Sequence, residues 1–320
     1  MSLIEQAAQR LEQLRQAGVV VPEIEADLSV ATPGARAAAH PPAPKPAAPV
    51  QTSKMVTLDL DALMAKGIVT PNAPRSFIAD QYRVIKRPLI TNAMSRGDAA
   101  VRHSNLIMVT SALSGEGKSF TSINLAMSIA AELDHTVMLV DADVARPSVL
   151  KVLGLEPAPG LLEVLEGKAD VAGTLLRTNV DKLTILPSGT PHPKATELLA
   201  SEAMASLLDD IATRYSDRIV IFDSPPLLLT TESRVLASHM GQIVVVVHAG
   251  RTLQADVQNA LATIESCPIR LMLLNKARAV GKDAYGYGYG YGYGQYGYGY
   301  GHGYGYGYGD AGAATPAPKA

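Results

Sequence analysis

The residues best suited to chemistry are Lys118 and Ser119, within the stretch LIMVTSALSGEGKSFTSINL at residues 106–125. Together with Gly117, and with Ala112 in place of the usual first glycine, they match the pattern of a phosphate-binding loop. Backbone N–H groups and a helix N-terminus make such a loop an anion site, and the lysine adds a point charge. The serine hydroxyl would bind Mg²⁺. This stretch therefore predicts a site for a nucleoside triphosphate.

The elements on either side of the loop support this interpretation. Residues 106–109 form a short apolar run typical of a strand, and apolar side chains recur at helical spacing from Phe120 to Leu133. The alternative is a glycine-rich turn between strand and helix, which would not need a lysine followed by a serine. The loop residues expected to contact the nucleotide are Ser114, Gly115, Glu116, Gly117, Lys118, Ser119 and Phe120.

Three aspartates follow two further apolar runs. Asp141 and Asp143 come after residues 137–140, and Asp223 comes after residues 218–222. Ligands bind at the carboxyl ends of strands in open α/β sheets, which favours a role with metal and substrate. Helix capping by Asp141 or Asp143 is the alternative. We expect Ser119, Asp141 and Asp223 to bind the metal ion.

The order of the elements predicts the fold class. Further apolar runs at residues 183–186, 243–247 and 271–274 alternate with helical patterns. This order favours a doubly wound, mostly parallel α/β sheet flanked by helices. Asn275 ends the last run, where it could reach the adenine base, although a simple strand-end turn is the alternative.

The composition excludes several classes of protein. The chain has 320 residues, a formal net charge of −2 and one cysteine, Cys267. The charge gives no reason to expect nucleic acid as a partner, and a single cysteine excludes a disulfide framework. Without an apolar run of about 18 residues or a signal peptide pattern, we expect a cytoplasmic protein in which any membrane role comes through a partner.

Composition also divides the chain. Residues 1–30 begin with an amphipathic helical pattern, which could pack on its own domain or dock on a partner. Residues 31–55 form a Pro/Ala linker, residues 56–281 form the nucleotide-binding domain, and residues 282–320 form a tail. The segment 75–102 carries six Lys or Arg against two Asp, as expected for a solvated helix face or for an interface with an acidic surface.

Tyrosine and glycine alternate along most of the tail, which holds eleven of the thirteen tyrosines. This composition predicts disorder, and an adhesive or aggregation-prone tail is one interpretation. A run of phenol hydroxyls attached to an ATP-binding domain instead suggests a substrate. The candidate phosphoacceptors are Tyr285, Tyr287, Tyr289, Tyr291, Tyr293, Tyr296, Tyr298, Tyr300, Tyr304, Tyr306 and Tyr308.

The combination of motifs resembles a known family. The loop at 110–119, DxDxxRP at 141–147, DSPP at 223–226 and the tyrosine cluster occur in the order seen in bacterial P-loop tyrosine kinases. The sequence is most similar to the stand-alone kinases encoded with exosortase-linked exopolysaccharide systems. The resemblance implies a P-loop NTPase fold of the deviant Walker type, shared with MinD and ParA.

The resemblance also implies a reaction. The γ-phosphoryl group of ATP, bound with Mg²⁺, would be transferred to tail tyrosines of a neighbouring subunit. Lys118 and Ser119 would hold phosphates and metal, Asp223 would supply the second carboxylate, and Asp141 or Asp143 would complete the metal shell and accept the phenol proton. Arg146 would stabilise transferred charge or only the loop.

Partners are implied in the same way. Family members form rings through an E-x-x-R-x-x-R helix, and Asp80, Arg83 and Lys86 have that spacing with two conservative departures. The resemblance further implies activation by a membrane-embedded regulator of polysaccharide chain length, and a cognate phosphotyrosine phosphatase.

Two other functions compete with this one. An ATPase switch of the MinD or ParA type would dimerise on ATP, but Leu113 stands where that class has a lysine, and the tyrosine tail would be unexplained. A scaffold with a vestigial nucleotide site would not need Lys118, Ser119, Asp141 and Asp223 together.

Overall fold

The computed structural model describes residues 53–71, 75–97, 100–214 and 218–277. The predicted N-terminal helical segment, the linker up to residue 52 and the tyrosine-rich tail lie outside the described residues. The expectations for those segments therefore stay predictions.

The described residues form one eight-stranded sheet in the order β1-β4-β5-β3-β6-β2-β7-β8. All neighbouring strands are parallel except β4 and β5, so the predicted, mostly parallel sheet is confirmed. The strands are β1 (Lys54–Val56), β2 (Leu106–Ser111), β3 (Thr136–Asp141), β4 (Leu176–Thr178), β5 (Leu183–Leu186), β6 (Arg218–Asp223), β7 (Gln242–His248) and β8 (Ile269–Asn275).

Helices cover both faces of this sheet, as the prediction of a doubly wound fold requires. In chain order they are α1 (Leu60–Ala65), α2 (Phe77–Ala93), α3 (Lys118–Ala130), α4 (Val149–Leu153), α5 (Leu161–Leu165), α6 (Val171–Thr174), α7 (Ala195–Leu199), α8 (Glu202–Arg214), α9 (Glu232–Ser238) and α10 (Gln254–Ala262).

Alternation along the central strands creates two hydrophobic cores. In β2, Leu106 and Met108 belong to a core with residues of α5 and α7 to α10, whereas Ile107 and Val109 belong to a core with residues of α1 to α4. Every residue of β2 is buried. A strand covered on both faces is apolar along most of its length, which explains why these runs were recognisable in the sequence.

The predicted boundary between linker and domain is wrong by two residues. Lys54 and Met55, assigned to the linker, belong to β1 and pair in parallel with Leu176 and Arg177 of β4. Both strands are only three residues long, so neither shows the alternation by which strands are recognised. The first helix after β1 begins at Leu60, where the Asp59 side chain accepts the N–H of Ala62.

The predicted interface helix is confirmed as a helix, but Lys86 is not on its surface. Its ammonium group donates to the carbonyl of Ser128 at 2.6 Å and lies 2.5 Å from a carboxylate oxygen of Glu132. The side chain is only 7% exposed and holds α2 against the end of α3. The side chain of Lys86 is therefore not available for the predicted contact with another subunit. Asp80 and Arg83 form an exposed pair, so that role stays open for them.

The two cation–carboxylate pairs of α2 provide a matched test. Lys86→Met leaves the Ser128 carbonyl and the Glu132 carboxylate without their charged donor, so we expect a loss of about 2 kcal/mol in the free energy of unfolding. Arg83→Met removes an exposed pair and should cost under about 0.5 kcal/mol. Urea denaturation of both variants measures the difference. Equal losses would show that Lys86 does not hold the two helices together.

Candidate active site

The predicted phosphate-binding loop lies between β2 and α3, as the sequence indicated. Gly117 precedes the first residue of α3 with φ of 103°, a left-handed conformation that favours glycine. A Cβ at this position would lie 2.1 Å from the side-chain nitrogen of Asn275, so the loop also needs glycine for close packing. The N–H groups at the start of α3 are thereby available for an anion.

A buried carboxylate fixes the shape of the loop from inside. Glu116 is 3% exposed and accepts the N–H of Leu113 at 2.7 Å. Its other oxygen accepts the hydroxyl of Thr252 and, at 3.4 Å, the N–H of His248. Glu116 therefore ties the loop to the turn after β7. The side chain of Glu116 therefore supports the loop, and the predicted contact with the nucleotide stays a prediction for its backbone N–H.

The end of β8 holds the loop from another side. The Asn275 side chain donates to the carbonyl of Glu116 at 2.9 Å and accepts the N–H of Lys276. The ammonium group of Lys276 donates to the carbonyl of Gly115 at 2.8 Å. The amide of Asn275 thus helps to hold the loop, and its predicted reach to the adenine base stays a prediction.

The two residues predicted to bind phosphate and metal, Lys118 and Ser119, lie together at the start of α3. Lys118 is buried, and its ammonium group lies 4.0 Å from a carboxylate oxygen of Asp143. The Ser119 hydroxyl accepts the hydroxyl of Ser148 at 2.7 Å. Both side chains therefore lie beside the predicted carboxylates, as a site for a metal-bound triphosphate requires.

Asp141 and Asp223 occupy directly opposed positions on neighbouring parallel strands, at the ends of β3 and β6. Each is almost fully buried and has one oxygen without a hydrogen-bond partner. The other oxygen of Asp141 accepts the N–H groups of Ser148 and Val149, and that of Asp223 accepts the Ser122 hydroxyl. The arrangement leaves two buried oxygens available to a cation.

The electrostatics of this pair are unfavourable for two negative charges. Burial, and then the charge of Asp223, raises the pKa of Asp141 to about 7. Burial raises the pKa of Asp223 to about 6, although the Ser119 hydroxyl and Lys118 oppose the rise. Without a cation, the two carboxyl groups therefore stay protonated to a higher pH than exposed carboxyl groups do.

Asp143 extends the site toward solvent. Its second oxygen accepts the N–H of Arg146 at 3.2 Å, while the Arg146 side chain is exposed. Burial raises the pKa of Asp143 above its usual value, although the neighbouring Lys118 lowers it. A carboxylate with raised proton affinity beside the lysine is a suitable proton acceptor.

The donor set fits Mg²⁺ better than a metal held by protein alone. Within the described ranges, no three His, Cys, Asp or Glu residues cluster as a metal cage. Mg²⁺ is commonly held by one or two carboxylates together with waters and substrate phosphates. Asp141 and Asp223 match that pattern because each has a buried oxygen without a hydrogen-bond partner, and Ser119 would add the hydroxyl at the start of α3.

Not all predicted residues converge on this centre. Ser114 is exposed on the loop, and the Phe120 ring packs against the core near Gly67, so only its backbone can serve the nucleotide. The supporting residues Ser122, Ser148 and Thr252 were missed in the sequence analysis. Ser122 follows Lys118 by one helical turn, a spacing that would have placed it on the same face.

In the described part of the chain, none of the helices has the length and apolarity needed to cross a membrane.

Comparison with known proteins adds the family. Residues 104–271 match the model of the AAA domain family. The chain is 31% identical over 225 residues to the tyrosine-protein kinase YwqD of Bacillus subtilis, covering 70% of this chain and 91% of that protein. It is 29% identical over 187 residues to the tyrosine-protein kinase wzc of Salmonella typhi, covering 57% of this chain but only 26% of wzc.

Among solved structures, the kinase domain of VpsO superposes with a TM-score of 0.53 at 27% identity, covering 62% of this chain and 96% of that domain. The length and identity of the match to YwqD show the family. The chain therefore belongs to the bacterial P-loop tyrosine kinases and is a protein-tyrosine kinase.

Proposed function

We propose that this kinase transfers the γ-phosphoryl group of Mg·ATP to the tyrosines of its own tail, from one copy to another, and thereby regulates exopolysaccharide polymerisation and export. The observation that carries the proposal is the opposed Asp141–Asp223 pair beside Lys118 and Ser119. The eleven tail tyrosines supply acceptors at high local concentration. The exosortase link stays a prediction from the sequence.

The proposed roles follow from the contacts. Lys118 and the N–H groups at the start of α3 would hold the phosphates. Ser119, Asp141 and Asp223 would hold Mg²⁺, which supplies neutralising charge for the transferred group when bound. These residues position the terminal phosphorus for the phenol oxygen of a tyrosine, and ADP leaves as the new oxygen–phosphorus bond forms.

The proton of the phenol needs an acceptor, because a tyrosine with a pKa near 10 is neutral at pH 7. We assign that role to Asp143, because the other two aspartates face each other at the metal site. Its carboxylate lies beside Lys118, which would contact the transferred phosphoryl group. Most of the rate enhancement would still come from positioning and charge stabilisation.

The proposed setting is the cytoplasmic face of the inner membrane. The resemblance implies a membrane-embedded chain-length regulator as activator, assembly into an oligomer and a phosphatase that reverses the modification. The much greater length of wzc is consistent with additional parts that would act here from a separate chain.

Phosphorylation of the tail can be measured directly. We expect purified full chain incubated with Mg·ATP to carry phosphate on tail tyrosines by mass spectrometry, and more so when membranes of the source cells are added. Lys118→Met should lower the amount of tail phosphate at least about a hundredfold, because the positive charge that stabilises the phosphates is lost.

The same experiment has a clear opposing outcome. Phosphate on added protein substrates but none on the tail would refute autophosphorylation while leaving kinase activity intact. ATP hydrolysis with no phosphotyrosine on any protein would favour the ATPase switch.

The proton-binding carboxylates predict a pH effect on stability without nucleotide or metal. A carboxyl group whose pKa is raised on folding binds more protons when folded, so stability falls as pH rises from about 4 to about 7. Asp141→Asn removes much of this cost. We expect its melting temperature in EDTA to exceed that of the wild type by about 5 °C at pH 8 and to differ less at pH 5.

Addition of Mg·ATP should reverse this order, because only the wild type gains the full binding energy. A constant difference between the two proteins across pH would show that the aspartate pair does not take up protons on folding.

A further inference from the structure

The last strand of the sheet presents an open edge. Among the described strands, none pairs with the outer side of β8. On one face of β8, Leu271 and Leu273 pack against the core. On the other face, Met272 and Leu274 are 65% and 64% exposed. Unpaired backbone groups beside exposed apolar side chains are the features with which a sheet accepts an additional strand.

This open edge leads directly to the phosphate-binding loop. β8 ends at Asn275, whose side chain contacts the carbonyl of Glu116 at 2.9 Å. A segment paired with β8 would therefore lie along a path toward the nucleotide. With strand spacing of about 4.8 Å, the added strand would be about 14 Å from β2, a distance that about five extended residues span.

The tail has the sequence period of a strand. Tyrosines occupy every second position from Tyr285 to Tyr293, and Gln295 follows in the same phase. A second block begins at Tyr296 in the opposite phase and runs to Tyr308, with His302 replacing one tyrosine. In an extended segment, each block would place its tyrosines on one face and its glycines on the other. Each block is longer than β8.

We propose that a Tyr/Gly block from a neighbouring copy pairs with the open edge of β8, with its phenol rings over Met272 and Leu274. This inference rests on the proposed function, since it concerns how the tail is recognised as substrate. The backbone of β8 would supply the hydrogen bonds, and the two apolar side chains would favour tyrosine on that face. The docked block would deliver an adjacent tyrosine to the phosphate loop.

Chain connectivity favours a neighbouring copy over the same chain. Nine residues, 276–284, separate β8 from the first tail tyrosine. A parallel return to the same strand needs about a dozen residues or more, a limit that applies to the first block and not to the second, which begins at Tyr296. An antiparallel return would start at the phosphate loop and carry successive tyrosines away from it. A tail from another copy can run in either direction and approach the loop.

The alternation of tyrosine and glycine also explains how successive tyrosines can use the same docking site. Register is weakly specified in glycine-rich strands, so the paired segment can shift along the edge. A shift of two residues keeps every tyrosine on the same face and brings the next one forward. A phosphate adds about −1.5 to −2 charge, which the apolar pair cannot solvate, so a modified tyrosine leaves β8.

Mixing two forms of the full chain tests the proposal. The acceptor copy carries Lys118→Met and an isotope label, so phosphate on its tail must come from the other copy. Met272→Thr with Leu274→Thr in the active copy should lower kcat/KM for acceptor phosphorylation about tenfold, because two packed apolar groups are lost. Threonine retains strand propensity, and the KM for ATP and the melting temperature should be unchanged.

Three comparisons make the test specific. Leu133→Thr in the active copy changes an apolar side chain that is 85% exposed away from β8, and it should have no effect. The double threonine change in the acceptor copy alone should also have no effect. Equal losses with the change in either copy would indicate pairing between two β8 edges and would overturn the proposal, as would no loss in either arrangement.

The order of residues in the tail provides the second variant. In the acceptor, residues 285–294 are reordered to YYGGYYGGYG, which keeps the composition but removes the period of two. Phosphate in this block should fall about tenfold, while the second block in the same chain serves as internal control. Unchanged phosphorylation of the reordered block would overturn strand pairing. No phosphate on any wild-type tail would instead refute the proposed function itself, and with it this inference.

Discussion

The electrostatics of the site depend on two buried carboxylates on adjacent strands. Asp141 and Asp223 face each other across the β3–β6 pair, where burial and mutual repulsion both oppose ionisation. Such a pair is stable only because backbone N–H groups and a serine hydroxyl satisfy one oxygen of each. Their remaining oxygens lack a hydrogen-bond partner within the protein, and these are the atoms that the proposed cation site would use. In the proposed function, binding of Mg·ATP would relieve this electrostatic cost.

The phosphate loop depends on a second set of buried contacts. Glu116 connects it to the turn after β7, and Asn275 and Lys276 connect it to the end of β8. These contacts come from segments more than a hundred residues away in the chain. They keep the loop in an anion-binding shape before any ligand is present. The loop therefore loses its conformational entropy during folding and not during binding.

The sequence was sufficient for the central strands and for the loop because both carry strong local signals. Fully buried parallel strands must be apolar runs, and the glycine, lysine and serine positions of the loop have few other uses. The three-residue strands β1 and β4 have no such signal, since their pairing depends on tertiary contacts alone. Lys86 was misjudged for a related reason, because a charged residue in a basic segment usually faces solvent. Its two partners, Glu132 and the Ser128 carbonyl, lie at the end of a different helix and can be recognised only from the fold.

The contacts of Asn275 and Lys276 limit where the sequence can change between the nucleotide-binding domain and the tail. The tail begins within a few residues of groups that directly hold the phosphate loop. Changes in the length or number of repeats beyond that point leave these contacts intact, whereas a change at the junction reaches the nucleotide. The number of Tyr/Gly repeats can therefore change during evolution without disturbing the phosphate loop, provided that the attachment point stays fixed.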